Sequence, residues 1–356
     1  MDRPRIVLIN PLECAEGGSE QRTLELARLL SDRAEVILCP IDPGRARALV
    51  GWAHPRIRVA HSGVVDPGQL AEATLVIVGF CLPDWIETAD PARLILIVNL
   101  NPGIPDFRRT LSRLLRLRCG VELHHASRWI AEAARLPGLL VPSPIDLQRF
   151  RPPDQRDRPG GSRRFRVGRL SRDVPGKHHP DDPALYRQLV GCGVRVTVMG
   201  GTTLADQLGS PAPSVDCHAD AATTPAAIEL LPAGSLDAAG FLGGLDCFVY
   251  RTHPGWREPS ARVIHEAMAT GLPVVAHRSG GYADVIEHGV NGVLFDTNAE
   301  ALAWIERLRL DADLHTRMGR QARMSMERLH GQEMRERLAT IYLDAEAQPT
   351  PRLVAS

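Results

Sequence analysis

Short apolar runs alternate with segments of helical periodicity along nearly the whole chain. Such alternation is typical of βαβ units, in which buried parallel strands are joined by crossover helices. The pattern predicts a first series of strands at residues 5–9, 35–39, 75–78, 94–98 and 139–141. A second series is predicted at 165–167, 194–199, 228–230, 247–250, 273–276 and 292–295. The fold class is therefore α/β with two parallel sheets.

Residues 143–161 separate the two series and are rich in Pro, Arg, Asp and Gly without apolar periodicity, which is typical of an interdomain connection. We therefore predict two Rossmann-like domains, 1–155 and 156–330. Residues 331–356 form a C-terminal helix and tail, for which we consider packing back on the N-terminal domain. Open α/β sheets bind ligands at the carboxyl ends of their strands, so two facing sheets would share one cleft.

The amino-acid composition excludes several classes of partner and of cellular location. The 356 residues carry 42 basic and 42 acidic side chains, so no net field favours nucleic acid, and no nucleic-acid partner is expected. Seven cysteines lack C-x-x-C spacing, which suits reduced thiols in a reducing compartment. The N-terminus lacks a signal-peptide pattern, and no apolar stretch is long enough for a membrane span. We therefore expect a cytoplasmic protein.

Two acids flank the start of a predicted helix in the segment 248–296. Glu258 lies in a loop after a strand, Ser260 is predicted to cap the helix, and Glu266 lies about 9 Å along the helix axis. A helix N-terminus suits a diphosphate, and a carboxylate on each side can accept hydrogen bonds from sugar hydroxyls. The order acid, helix N-terminus, acid matches the sugar, diphosphate and ribose of a nucleotide sugar. An isolated pair of acids with this spacing is, however, usually without function.

The same segment resembles the signature of family 4 retaining glycosyltransferases of the GT-B fold. The resemblance is carried by Glu258, Glu266 and residues 267–269, 271–275, 280–281, 288–289, 291–292 and 295. It implies an N-terminal acceptor-side domain facing a C-terminal nucleotide-sugar domain across a cleft. It also implies that Glu258 binds donor-sugar hydroxyls and that Glu266 binds the ribose. We add Ser260, Arg262 and Val263, at the start of the helix, as substrate-binding residues.

Arg169 and Lys177 resemble a second element of that family, in which two cations bind the donor diphosphate. Lys177 is the only lysine among the 42 basic residues, so its presence at this place is unlikely to be random. An ammonium there would neutralise a departing phosphate. Its distance from Arg169 is slightly longer than the family pattern, and the alternative is a solvated basic loop.

The N-terminal half contributes a weaker set of candidates. A glycine pair opens the first predicted helix, where it would let a substrate approach the helix N-terminus closely. Many members of the family have a histidine after the strand at 94–98, whereas this chain has asparagines, which do not titrate near neutral pH. His124 or His125 are possible substitutes, with a structural role as the alternative. The predicted substrate-binding residues here are Gly17, Gly18, Asn99, Asn101 and His125.

Three further features of the sequence bear on the predicted site and on its surroundings. Pro259 removes a backbone N–H beside Glu258. The D-x-D form at residues 311–313 is interpreted as helix surface, so no metal site is predicted. Residues 105–118 form an amphipathic, arginine-rich helix, favoured as core-facing, with weak contact to an anionic membrane surface as the alternative.

The function implied is transfer of a hexosyl unit from a nucleoside diphosphate sugar to a hydroxyl acceptor, with retention of configuration and no metal or cofactor. The acceptor would be a glycan, a lipid-linked molecule or a small molecule, and the protein would be cytoplasmic or peripheral at the inner membrane face. Two alternatives stay open. One is a nucleotide-sugar epimerase or sugar phosphorylase on the same fold; the other is a catalytically weak GT-B subunit or nucleotide-sugar-binding module.

Overall fold

The computed structural model describes residues 3–153, 164–208, 227–344, 346 and 350–354. Its contacts divide the chain into two compact units. The first consists of Met1–Pro144 and Gln332–Ser356, and the second is Ile145–Gly331. The division at 144–145 lies ahead of the boundary predicted near residue 155, because Ile145 and Phe150 are buried in the core of the second unit.

The first unit is a parallel α/β domain with one antiparallel edge pair. Its strands run in the order β14-β6-β5-β4-β1-β2-β3, with β7 beside β6, and the pair β14–β6 is antiparallel. The strands are β1 (Arg5–Asn10), β2 (Glu35–Pro40), β3 (Ile57–Val59), β4 (Ala73–Val78), β5 (Arg93–Val98), β6 (Val121–His125), β7 (Leu139–Leu140) and β14 (Arg352–Leu353). The helices are α1 (Gly18–Leu30), α2 (Pro67–Leu70), α3 (Pro105–Leu114), α4 (Arg128–Ala134) and α11 (Gln332–Leu343).

The second unit is a fully parallel α/β domain whose sheet has the order β10-β9-β8-β11-β12-β13. The strands are β8 (Arg166–Leu170), β9 (Arg195–Met199), β10 (Ile228–Leu231), β11 (Cys247–Tyr250), β12 (Val274–His277) and β13 (Val293–Phe295). The helices are α5 (Asp182–Gly191), α6 (Ala205–Leu208), α7 (Ala238–Gly243), α8 (Arg262–Ala269), α9 (Asn298–Leu310) and α10 (Ala312–His330).

Helix α3 is shorter than the predicted 105–118 segment. Its side chains Phe107 and Leu114, with Leu117 beyond its end, are buried in the core of the first unit. Arg113 pairs with Glu87 at 2.7 Å on the outer side. The apolar side chains are therefore occupied by packing, as the core-facing interpretation expects. Among the described residues, none of the helices is both long and apolar enough to span a bilayer.

The C-terminal helix α11 packs in the first unit, where Leu338 and Tyr342 are buried among strand and α1 side chains. A buried arginine ties this helix to the sheet. Arg93 in β5 donates to both carboxylate oxygens of Glu122 in β6, at 2.9 and 2.6 Å, and to the carbonyl of Ile341 at 2.8 Å. Glu122 also accepts a 3.2 Å bond from the half-exposed Arg352.

Substituting Arg93 by alanine should destabilise the first unit by about 3 kcal/mol, because breaking a buried pair leaves the Glu122 carboxylate poorly compensated. Urea denaturation followed by tryptophan fluorescence measures the loss. Arg5→Ala, which breaks the half-exposed 2.8 Å pair with Glu35, is the control and should cost no more than about 1 kcal/mol. Equal losses in both variants would contradict the role given to Arg93.

Candidate functional site

Three of the predicted site residues gather at the carboxyl ends of β8 and β11, which are neighbours in the sheet of the second unit. Arg169 lies in β8. Lys177 ends a 3₁₀ turn, Pro175–Lys177, in the following loop. Glu258 lies in the loop after β11. Ligands of open α/β sheets bind at this edge, so the location is the one expected for a functional site.

Direct contacts join these three side chains. One terminal nitrogen of the Arg169 guanidinium donates to the backbone carbonyl of Lys177, and the Lys177 ammonium pairs with the Glu258 carboxylate. Arg169 is 1% exposed and Lys177 7%, and the Glu258 side chain is 14% exposed. The sequence predicted that all three would surround one ligand; they do lie together, but their charges are already paired with protein groups.

Glu258 is held from several directions. Its Oε2 lies 3.3 Å from the Tyr250 hydroxyl, and its backbone carbonyl accepts a 2.9 Å bond from the Gly281 N–H. Gly280 has φ +123°, and a Cβ there would come within 2.9 Å of the same carbonyl oxygen. Only glycine fits this approach, because φ in that range is strained for other residues. The 280–281 pair therefore fixes the backbone at Glu258.

The groups around Lys177 shift the pKa of its ammonium. Burial lowers the pKa of the Lys177 ammonium below its usual value, and the nearby guanidinium groups of Arg172 and Arg169 lower it further. The Glu258 carboxylate opposes these effects and raises the pKa. The ion pair with Glu258 is thus the main interaction that favours the charged form of a largely buried lysine.

Asp182 and Arg251 belong to the same cluster and were not identified from the sequence. Asp182 accepts a 2.6 Å bond from Arg251 Nε and lies 3.6 Å from Arg169 Nη1. It also accepts the backbone N–H of His179 at 2.9 Å. The carboxylate therefore bridges two buried arginines. Asp182 is the first residue of α5, soon after Lys177, but its partner Arg251 is distant in sequence.

His178, next to Lys177, is a neutral structural side chain. Its Nε2 lies 2.8 Å from the carbonyl of Gly200. Burial and the charge of Arg169 lower the pKa of His178 to about 4. An uncharged ring donating from Nε2 fits this contact, and it links the loop after β8 to the loop after β9.

The start of α8 differs from the prediction. The N-cap residue is Ala261, in the left-handed region at φ +43°, and no side chain caps the helix. The predicted capping role of Ser260 is therefore wrong, because the chain turns into the helix one residue later. Arg262 Nε donates to Glu266 Oε1 at 2.7 Å, and both side chains are buried, whereas Val263 is half-buried.

The predicted residues of the first unit lie around the carboxyl ends of β1, β5 and β6. Gly17 precedes α1 as its N-cap, and Gly18 is the first helical residue. Asn99 follows β5, and within the described part of the chain its buried Oδ1 has no hydrogen-bond partner. Asn101 is exposed, and its Oδ1 accepts the Gly103 N–H at 2.9 Å, which closes a turn.

The two histidines of β6 are both buried. His125 Nε2 contacts the Leu136 carbonyl at 3.2 Å, and burial lowers the pKa of His125. His124 Nδ1 lies 3.3 Å from the Tyr342 hydroxyl, and burial with the charges of Arg93 and Arg22 lowers its pKa to about 3. The contacts of His124 support the structural alternative for this residue.

The D-x-D sequence at 311–313 lies at the start of α10. Asp311 caps this helix by accepting the Leu314 N–H at 2.8 Å. Within the described ranges, no group of three or more His, Cys, Asp or Glu side chains is arranged to hold a metal ion.

Residues 197–325 match the family model described as glycosyl transferases group 1. Over this stretch, a little over a third of its length, the chain is similar to the group 1 glycosyl transferases. A GDP-mannose-dependent alpha-mannosyltransferase of Corynebacterium glutamicum is 38% identical over 91 residues, covering 24% of this chain and 20% of the relative. An N-acetyl-alpha-D-glucosaminyl L-malate synthase of Bacillus anthracis is 38% identical over 92 residues, covering 25% and 24%. The chain therefore spans about a quarter of the length of these curated relatives.

Solved structures match the chain over nearly its full length. HepE from Anabaena, in complex with UDP and glucose, has a TM-score of 0.68 at 18% identity, covering 94% of this chain and 99% of that one. A glycosyltransferase from Rickettsia africae has a TM-score of 0.70 at 14% identity, covering 96% and 98%. Two parallel-sheet α/β domains of this kind constitute the GT-B fold, and this part of the prediction is confirmed.

The ion pair between Lys177 and Glu258 leads to a measurable prediction. In Glu258→Gln the pKa of Lys177 should fall further, because the charge that raises it is lost while burial and the two arginines still lower it. Since Lys177 is the only lysine, protein labelled with ¹³C-lysine gives one side-chain set of NMR signals to titrate. Glu287→Gln, on an exposed glutamate, is the control. An unchanged Lys177 titration in Glu258→Gln would contradict the assigned coupling.

Proposed function

We propose that the protein transfers a hexosyl unit from a nucleoside diphosphate sugar to a hydroxyl acceptor, with retention of anomeric configuration. The observation that carries the proposal is the buried cluster of Arg169, Lys177 and Glu258 at the carboxyl edge of the second sheet. The match of residues 197–325 to the group 1 glycosyl transferases supports glycosyl transfer. Support for a nucleoside diphosphate donor comes from the similar mannosyltransferase that is named GDP-mannose-dependent and from the HepE structures in complex with UDP or UDP-glucose.

The charge of the cluster suits a diphosphate. Arg169, Lys177 and Arg251 supply three positive charges against two carboxylates, Asp182 and Glu258, so one positive charge is in excess. Buried charges are costly unless they are paired, and an anionic ligand would compensate the excess. Because the cations are fixed by neighbouring groups, they would need little reorganisation as negative charge develops on the leaving diphosphate.

Donor binding would exchange the partners of the ion pair. In the proposed complex the Lys177 ammonium moves from Glu258 to a phosphate oxygen, and Glu258 then accepts hydrogen bonds from donor-sugar hydroxyls. Arg169 is too deeply buried to reach far, so it acts by holding the Lys177 backbone and by its charge. Glu266 would accept hydrogen bonds from the ribose after release from Arg262, with the start of α8 facing the diphosphate.

In the proposed reaction the bond between the anomeric carbon and the phosphate oxygen breaks as the acceptor oxygen attacks from the same face. The sugar passes through an oxocarbenium-like state, and the departing diphosphate takes the acceptor proton. This course, implied by the family resemblance, needs no covalent nucleophile, metal ion or cofactor. Gly17, Gly18, Asn99, Asn101 and His125 are proposed to bind substrate at the acceptor side. The cytoplasmic location is likewise a proposal.

The donor site is tested by thermal-shift titration with UDP, GDP, UDP-glucose and GDP-mannose. A matching nucleotide at about 100 times its Kd should stabilise the protein by about 2.7 kcal/mol. Lys177→Ala should weaken this binding at least about tenfold, since an ion-paired phosphate contact is lost. Arg278→Ala, in an exposed pair with Asp296, is the matched control and should bind normally.

The reaction itself is tested by following the anomeric configuration of the product by NMR with the donor that binds. Retention requires that donor and product share the α or β configuration. Inversion would contradict the mechanism. Conversion of the donor to another nucleotide sugar without any acceptor would favour the epimerase alternative, and tight binding without turnover would favour the binding module.

A further inference from the structure

Trp256 lies against both members of the ion pair. Its indole Nε1–H donates to Glu258 Oε2 at 3.3 Å, and the Lys177 ammonium lies 5.0 Å from the centre of its ring. A cation at this distance from an indole face is attracted by the ring electrons. The residue is nevertheless 39% exposed.

The loop that carries Trp256 is fixed to the lysine turn. The Thr252 hydroxyl donates to the Trp256 carbonyl at 2.6 Å, and the Trp256 N–H donates to the His253 carbonyl at 2.8 Å. The His253 N–H in turn donates to the carbonyl of Gly176 at 3.3 Å. The indole also packs over Gly176, where an added Cβ would lie 3.4 Å from a ring carbon. The ring is thus held over Lys177 by both loops.

We propose that Trp256 is a positioning residue of the donor site, which holds the Glu258 carboxylate through its indole N–H and shields the Lys177 ammonium from water with its ring. This inference rests on the proposed function and adds a residue outside both cation and acid motifs. The two functions use different parts of one side chain. The N–H orients the acid that would bind sugar hydroxyls, whereas the ring covers the cation that would bind phosphate.

Two substitutions separate the function of the indole N–H from that of the ring. Trp256→Phe keeps an aromatic ring beside Lys177 but removes the only N–H donor of the side chain. Trp256→Ala removes both the donor and the cover. Trp304→Phe is the matched control, because Trp304 lies on α9 of the same unit with the Arg307 guanidinium 5.1 Å from its ring. Its other ring contact is with His288, which is not one of the proposed site residues.

The first measurement is the pKa of Lys177 by ¹³C-lysine NMR, which needs no ligand. Burial is the largest cause of the lowered pKa of Lys177. Trp256→Ala removes both the cover and the attraction of the ring for the cation; because burial is the larger effect, this variant should raise the pKa of Lys177 toward the usual lysine value. Trp256→Phe and Trp304→Phe should leave it near the wild-type value. A wild-type titration in Trp256→Ala would overturn the shielding role, whatever the protein binds.

The second measurement compares the Kd of UDP-glucose with that of UDP, and of GDP-mannose with that of GDP, by calorimetry. Trp256→Phe should weaken binding of the nucleotide sugar about fivefold relative to its nucleotide, since the lost hydrogen bond orients Glu258 and not the phosphate contact. A residue that merely packs the loop would change both affinities together. Equal Kd ratios in Trp256→Phe and wild type would overturn the orienting role.

Failure of the proposed function gives a different result. In that case wild-type protein and Trp304→Phe would bind neither nucleotide nor nucleotide sugar, while the Lys177 titration would still show whether Trp256 shields the ammonium. Melting temperatures of all variants, measured without ligand, identify any loss that comes from unfolding.

Discussion

The ion pair between Lys177 and Glu258 is the interaction on which the candidate site depends. It joins two loops that follow adjacent strands, and it favours the charged form of a lysine whose burial favours the neutral form. Around it the protein supplies further fixed groups: Arg169 holds the lysine backbone, and Asp182 holds Arg169 together with Arg251. The result is a compact set of opposite charges, which in the proposed function would exchange partners with an anionic ligand.

The geometry of the parallel sheet explains why this set forms where it does. Strands β8 and β11 are adjacent although they are separated by a long stretch of sequence, and their following loops emerge at the same edge. The backbone at Glu258 is then restricted by the close approach of the 280–281 glycines after β12. Three successive loops along the sheet therefore act on a single carboxylate.

Most of the fold could be predicted because its buried strands are short apolar runs. β11 has the predicted bounds, and the other predicted strands differ by a few residues at their ends. β6 was missed because its sequence includes Glu122 and two histidines, which are buried only through distant partners such as Arg93. The short edge strands β3 and β14 gave no clear periodic signal.

The site residues that belong to local motifs were predicted, and those that depend on contacts across the sheet were missed. Arg169, Lys177 and Glu258 were identified from their motifs, and the structure brings them into contact. Asp182, Arg251 and Trp256 have no motif of their own, because their importance arises from neighbours remote in sequence. The wrong cap at Ser260 has a related cause, since the left-handed backbone of Ala261 is not encoded by its residue type.

The path of the chain through the two units has a consequence for synthesis on the ribosome. The second unit is one continuous stretch, Ile145–Gly331, inserted between the two segments of the first. Translation supplies every residue of the second unit before it supplies α11 and β14, which the first unit needs for its sheet edge and the partner of Arg93. The domain that begins first is therefore the one completed last, and the part of β6 that pairs with β14, Val121 and Glu122, has no strand partner on that side until the end of the chain is made.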